Sequence, residues 1–154
     1  MRVLIQRATT ATVTIEGRVI SEISNGLVVM LGVSANDTDE DIKYVVDRTV
    51  NIRIFPNQDG HFDLSAINVQ AELLVISQFT LYANTRKGRR PDFTSAAPPK
   101  TAELMYEKAV KKFKETGLDT KTGRFREHML VSIQNDGPVT IAIDSVDRLS
   151  PRRS

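Results

Sequence analysis

LLVISQFTLYA, residues 73–83, reads as one β-strand. It is rich in Leu, Val, Ile, Phe and Tyr, and too short and too β-branched for a typical helix. Its polar residues are the unusual part: Ser77, Gln78 and Thr80 interrupt an otherwise apolar run. Side chains alternate along a strand, so Ser77 and Phe79 point one way and Gln78 and Thr80 the other. A buried hydroxyl or amide left without a partner costs about 1–3 kcal/mol. Three such groups within four residues mark either a strand end whose polar groups bond neighbouring backbone or a binding site.

Downstream, residues 84–99 form a long irregular segment that holds Arg86-Lys87-Gly88-Arg89-Arg90 and also Pro91, Pro98 and Pro99. Structureless connections beyond about 12–15 residues are usually functional or disordered in a compact domain. A charge run is ordinarily a solvated face, but one that follows directly on a polar strand favours a binding role. Residues 101–116 keep helical spacing, with Ala102, Met105, Tyr106, Ala109, Val110 and Phe113 as the apolar stripe. Lys111, Lys112 and Lys114 suit the C-terminal end of that helix, and Gly117 its exit. Residues 129–134 read as a strand, Asn135-Asp136-Gly137-Pro138 interrupts it, and 139–143 resume it. The polar residues from about Asp147 are expected to fray, which gives one domain over 1–146 and a tail over 147–154.

Upstream, residues 2–8 read as a strand with Val3 and Ile5 on one side, and Arg7 falls on that same side. If that side is core, Arg7 needs a partner; at a strand end it can snorkel to water. Residues 11–15 and 18–23 form two strands joined by a tight Glu16-Gly17 loop, and Asn25-Gly26 is a turn. The near-continuous apolar run 27–33 predicts a central strand buried on both faces. Asn36-Asp37-Thr38-Asp39 opens a helix capped by Asp37 or Thr38, and Ile42, Val45, Val46 and Thr49 give it an apolar face. Residues 52–55 form a short strand, 56–60 a turn, and 61–64 pair back or enter a loop. Strands, helix, strands, helix, strands, without βαβ alternation, linker or repeat, predict a single α/β domain. Its sheet is mixed or largely antiparallel and barrel-like, with two main helices packed on it.

Composition narrows the chemistry. The 154 residues fit one domain, and 40% apolar with 26% charged fits a soluble globular chain. The absence of Cys excludes disulfides, thiol catalysis and thiolate zinc. His61 and His128 are the only imidazoles and neither has a partner at metal spacing, so no metal and no cofactor is expected. No nucleophile-elbow motif supports a Ser-His-Asp triad. A net charge of +2 excludes a global polycation. No apolar run reaches membrane-spanning length and the first residues lack a signal peptide's apolar region, so a cytoplasmic location is expected.

Gly137-Pro138 lies inside strand-like sequence, where Pro donates no ladder hydrogen bond and Gly reaches angles closed to other residues. Alone, it suits a turn between two short strands. Together, SQFTLYA at 77–83 and NDGPVT at 135–140 resemble the D-aminoacyl-tRNA deacylases, also called D-tyrosyl-tRNA deacylases. RVLIQRA at 2–8, RKGRRPDF at 86–93, and TGRF at 122–125 followed by Met129 fit the same pattern. The resemblance runs from residue 2 to about 143.

The resemblance implies a homodimer that hydrolyses the ester joining a D-amino acid, or glycine, to the 3′-terminal adenosine of tRNA, and spares L-aminoacyl-tRNA. It implies that Gly137-Pro138 is a Gly-cis-Pro motif inserted into the partner subunit's site, where it excludes L side chains, and that Arg7 braces it. Ser77, Gln78, Phe79 and Thr80 would line the catalytic pocket, and Phe125 and Met129 would pack on the adenine. Arg86, Lys87, Arg89 and Arg90 are expected to touch tRNA phosphates. The chemistry is consistent: an aminoacyl ester is already activated, so positioning and oxyanion stabilisation suffice, with backbone N–H groups near Gln78 and Phe79 as the candidate donors. Thr80 is a candidate nucleophile, but a Thr hydroxyl needs a base and none is near in sequence. The tRNA 2′-hydroxyl is the alternative, and the role of Thr80 stays unassigned.

Two departures stand out. Arg126, Glu127 and His128 occupy positions where the family carries small residues, between Phe125 and Met129. The tail from Ser145, ending Arg152-Arg153, extends past the family core and is either disordered or a weak RNA contact. A non-catalytic RNA-binding module is the second reading; the joint presence of SQFT and Gly137-Pro138 favours the enzyme. An editing domain of a larger synthetase is a third, and the start at Met1 and the early finish lead one to expect a free-standing protein instead.

Overall fold

β3 (Gly26–Gly32) and β6 (Glu72–Ser77) run side by side in parallel, from Leu27 against Leu73 to Leu31 against Ser77. Period-two alternation splits their side chains between two cores. Leu27, Val29, Leu31, Leu73 and Val75 enter one; Val28, Leu74 and Ile76 enter the other. A strand buried on both faces must be apolar throughout, which is what 27–33 and 73–76 are. The computed structural model describes residues 1–150, and the expected contact through Arg152-Arg153 lies outside them.

The remaining strands extend this pair into one sheet. β1 (Arg2–Ile15) pairs antiparallel with β3, with β2 (Arg18–Ile23) and with β8 (Leu130–Asp144). β7 (Thr120–Thr122) adds in parallel to β6, so the order is β2-β1-β3-β6-β7 with β8 on β1. The two ends of the sheet approach each other: Ser21 Oγ donates to the Thr122 carbonyl at 2.6 Å, and Lys121 Nζ to the Glu22 carbonyl at 2.8 Å. The result is a nearly closed, mixed barrel around Ala8, Ala11, Val13, Ile23, Val28, Leu74 and Ile76. Helices α1 (Asp39–Asn51) and, after a four-residue helix α2 (Ala66–Val69), α3 (Pro99–Lys114) cover the other face. β4 (Phe55–Pro56) and β5 (Phe62–Leu64) form a separate small hairpin. The expected mixed, barrel-like α/β domain with two main helices is what forms.

The α1 start is set by charge. Asp41 accepts from both the backbone N–H and the hydroxyl of Thr38 at 2.8 Å, and from Arg148 Nε at 3.1 Å. Burial by itself would raise the Asp41 carboxyl; the Arg148, Thr38 and Ser145 hydrogen bonds instead hold it well below the usual carboxylate range.

Several elements differ from the expectations. The first strand does not end at Ala8 but runs unbroken to Ile15, because β8 pairs along nearly its whole length. β8 is likewise continuous from Leu130 to Asp144. The expected interruption is a bulge: Gln6 faces Thr140 and Ala8 faces Asn135, so the four residues Asp136–Val139 loop outward over the single β1 residue Arg7. The strand expected over 73–83 stops at Ser77. Gln78 breaks it with φ −142° and ψ 79°, and Phe79–Tyr82 form a 3-10 turn. α3 opens at Pro99 rather than Thr101, where Pro loses no intrahelical bond. β7 and α2, of three and four residues, are too short to leave a periodic pattern in the sequence and were not expected. Residues 145–149, expected partly to fray, form a 3-10 turn held by Arg148 on Asp41 and by the Ser145 N–H on the Met1 carbonyl at 2.8 Å.

Candidate active site

The end of β6 is where chain direction and polarity change together. The Gln78 N–H donates to the Leu31 carbonyl at 2.8 Å, which closes the β3–β6 ladder. That N–H is therefore taken and is not an oxyanion donor, contrary to the expectation. Phe79 and Thr80 open the 3-10 turn, and the first N–H groups of such a turn have no carbonyl one turn back to bond. They are the donors left at this position. The Gln78 side-chain amide hydrogen-bonds the Thr80 hydroxyl, and both residues reach solvent. The polar groups thus meet each other and water instead of a dry core. His61 and His128 are both exposed, and no contact brings either to Thr80.

Phe79 is 58% exposed, and its ring meets Phe93 edge-on with centroids 4.9 Å apart. This contact links the β6 end to the stem of the basic loop. Asn84 and Asp92 exchange backbone hydrogen bonds at 2.7 and 2.9 Å and close that stem. Arg86, Lys87, Arg89 and Arg90 project from it, all exposed. Among the described residues none of the four enters an ion pair.

Phe125 and Met129 come to the same region through the β7–β8 connection. The Gly123 N–H donates to the Val75 carbonyl at 3.3 Å, and the Tyr106 hydroxyl donates to that same carbonyl at 2.8 Å. Phe125 packs on the Tyr106 ring at 5.9 Å. A Cβ on Gly123 would fall 2.5 Å from Met129 Sδ, so this glycine lets the methionine lie against the backbone. Arg126, Glu127 and His128 point to solvent. Tyr106 was legible only as part of an apolar stripe; the signal for more is its hydroxyl, which a buried tyrosine must satisfy.

Gly137 and Pro138 form the tip of the β8 bulge, both exposed, with a cis peptide bond between them. Arg7 lies beneath, 7% exposed. Its Nη1 donates to the Ile54 carbonyl at 2.5 Å, its guanidinium lies 5.4 Å from the centroid of the Phe62 ring, and its Nε stands 2.9 Å from Asp136 Oδ2. That last contact is an ion pair by distance, but the N–H is off line for a hydrogen bond. Of the two sequence readings of Arg7, the partnered charge is the one that holds.

The two groups of site residues do not meet within one chain. β1 and β3 separate β8 from β6, and three steps of ~4.8 Å make about 14 Å across the sheet. Arg7 pairs with Leu27 while Ser77 pairs with Leu31, a further four residues or about 13 Å along the strands. Among the described residues no three Asp, Glu or His side chains gather where they could hold a metal ion. No helix among them is long and apolar enough to cross a membrane.

Comparison with known proteins shows the family. The family model described as D-Tyr-tRNA(Tyr) deacylase matches residues 4–144. A D-aminoacyl-tRNA deacylase of Natranaerobius thermophilus is 51% identical over 146 residues, covering 94% of this chain and 97% of that one. Among solved structures, the c-Myc DNA Unwinding Element Binding Protein superposes with a TM-score of 0.89 at 40% identity, over 94% of this chain and 98% of that one. A probable eukaryotic D-amino acid tRNA deacylase shares the fold, with a TM-score of 0.83 at 15% identity over 93% and 98% of the two chains.

Proposed function

Because this chain belongs to the D-Tyr-tRNA(Tyr) deacylase family, we propose that it hydrolyses the ester bond of D-aminoacyl-tRNA, and of mischarged glycyl-tRNA, to free tRNA and amino acid. L-aminoacyl-tRNA is spared, and the activity serves chiral proofreading of translation in the cytoplasm. The observation that supports the reading is that one chain of this family carries both a polar β6 end at Ser77–Thr80 and an exposed Gly137-Pro138 tip with buried Arg7 beneath it.

The separation of the two supports a homodimer. A tip about 14 Å across and 13 Å along the sheet from its own β6 end serves a pocket only when a second copy supplies it. There the rigid backbone of Gly137-Pro138 excludes an L side chain by clash, and a D side chain points away. Exclusion of this kind needs no grip on the accepted enantiomer, so many D side chains pass. Phe79 and Thr80 N–H groups receive the oxyanion. Phe125 and Met129 hold the adenine. Thr80 has the Gln78 amide as its hydrogen-bond neighbour and, among the described residues, no base, so the attacking water is better served by the tRNA 2′-hydroxyl, with Thr80 in a positioning role.

A second reading, a nucleic-acid-binding module without catalysis, is favoured by the four exposed cations of the basic loop and by the name of the solved relative at 40% identity. Incubation of the purified protein with D-Tyr-tRNA separates the two. Release of free D-tyrosine supports the deacylase. An intact ester on tRNA that nevertheless binds the protein supports the module.

A further inference from the structure

Beside the β6 end lies a polar groove of about 500 Å³ lined by Arg2, Tyr82, Ala83, Asn84, Thr85, Arg86 and Ser95; of these only Arg86 has been given a part, as one cation of the basic loop. Its two cations come from distant parts of the chain. Arg2 begins β1, and its guanidinium is held in place: it lies 4.7 Å over the Tyr82 ring, donates from Nη1 to the Leu81 carbonyl at 3.0 Å, and pairs through Nε with Asp144 at 3.0 Å. Arg86 begins the basic loop, where its N–H donates to Asn84 Oδ1 at 3.1 Å. Asn84, Thr85 and Ser95 add amide and hydroxyl donors. Two guanidinium groups and neutral donors around an open groove are the chemistry that recognises a phosphodiester.

Position says which one. The 3-10 turn Phe79–Tyr82 carries Thr80 at one end and the groove wall at the other. At ~2.0 Å per residue, Tyr82 is about 4 Å beyond Thr80. The groove wall thus follows Thr80 within one turn of chain and leads into the basic loop, which suits a single strand whose last nucleotide lies at Ser77–Thr80. We propose that this groove binds a backbone phosphate of the unpaired 3′ end of the substrate tRNA, next to the terminal adenosine, with Arg2 and Arg86 on either side of it. This deepens the deacylase reading and rests on it: the groove makes the enzyme prefer a polynucleotide ester over a nucleoside ester.

The test compares D-Tyr-tRNA with D-tyrosyl-adenosine, which carries the same ester and no phosphate, in the unsubstituted protein and in Arg2→Gln and Arg2→Lys. Gln keeps a donor for the Leu81 carbonyl, and Lys keeps the charge. For Arg2→Gln, the ratio of kcat/KM on the tRNA to that on the adenosine ester falls about tenfold, chiefly through KM on the tRNA. Its log–log salt dependence on the tRNA flattens by roughly 1, and Arg2→Lys recovers most of both. Equal loss on the two substrates, or no change on either, overturns the proposal, because Arg2 would then only brace the turn or only meet solvent. Should the unsubstituted protein hydrolyse neither ester, the deacylase reading fails first, and the groove's role as a substrate subsite fails with it.

Discussion

Arg7 Nε stands 2.9 Å from Asp136 Oδ2 across the β8 bulge, yet the two partners are unequally buried, with side chains 9% and 45% exposed. The arginine is held by the protein interior and the aspartate by water. Removing each should therefore cost differently. Arg7→Ala leaves the Ile54 carbonyl without its donor and should destabilise by about 1–3 kcal/mol. Asp136→Asn removes a half-exposed charge and should cost under ~1 kcal/mol. Urea midpoints measured on both at unchanged m-value check the order; an Asp136 cost equal to that of Arg7 would mean that the ion pair, not the carbonyl, holds the bulge.

Gly137 has a φ of +114°, and a Cβ built there falls 2.8 Å from Val139 Cγ2 and 3.2 Å from Arg7 Nη2. Gly137→Ala must move either the β8 bulge or the arginine beneath it. It should cost more than about 1 kcal/mol and lower D-Tyr-tRNA hydrolysis at least tenfold. A folded Gly137→Ala variant with parental stability and rate would show that the tip tolerates a side chain and does not shape the pocket.

The Asp41 carboxyl is held low by its Arg148 and Thr38 partners against the opposing effect of burial. A group whose folded value is depressed stabilises above its unfolded value and loses that contribution as pH falls through the folded one. The stabilisation should thus be complete above pH 3.8, the ordinary carboxyl value, and decline below it. Thermal midpoints of the parent and Asp41→Asn at pH 7 and pH 3 test this: the gap between them should narrow at pH 3. A gap of constant size would show that Asp41 acts through its shape and not its charge.

Arg86, Lys87, Arg89 and Arg90 are exposed and free of acidic partners among the described residues. Replacing all four by Gln should weaken tRNA binding uniformly across tRNAs and reduce the salt slope by roughly 3. An unchanged slope in filter-binding titrations would make the loop a solvated face.

The sequence was legible where one physical rule dominates. Runs 27–33 and 73–76 were apolar throughout, and both strands are buried on two faces. α1 and α3 followed from 3.6-residue spacing, whereas the single turn of α2 is too short to show it. It was less legible where tertiary pairing overrides local pattern. β1 runs on past Ala8 because β8 pairs along it, and no local residue records that partner. Ser77, Gln78 and Thr80 were noticeable as polar residues in an apolar run, but alternation assigned them faces of a strand that ends at Ser77. The groove at Arg2 and Arg86 joins residues far apart in the chain, so nothing in either neighbourhood announces it.

The central claim is enantiomer-selective hydrolysis. Its most direct measurement is the initial rate on D-Tyr-tRNA and on L-Tyr-tRNA prepared on the same tRNA, with purified protein and EDTA present. The account predicts release of tyrosine from the D ester alone, at a rate that EDTA does not change. Equal hydrolysis of both esters would contradict the chiral role of Gly137-Pro138, and activity lost in EDTA and restored by zinc would contradict the metal-free chemistry.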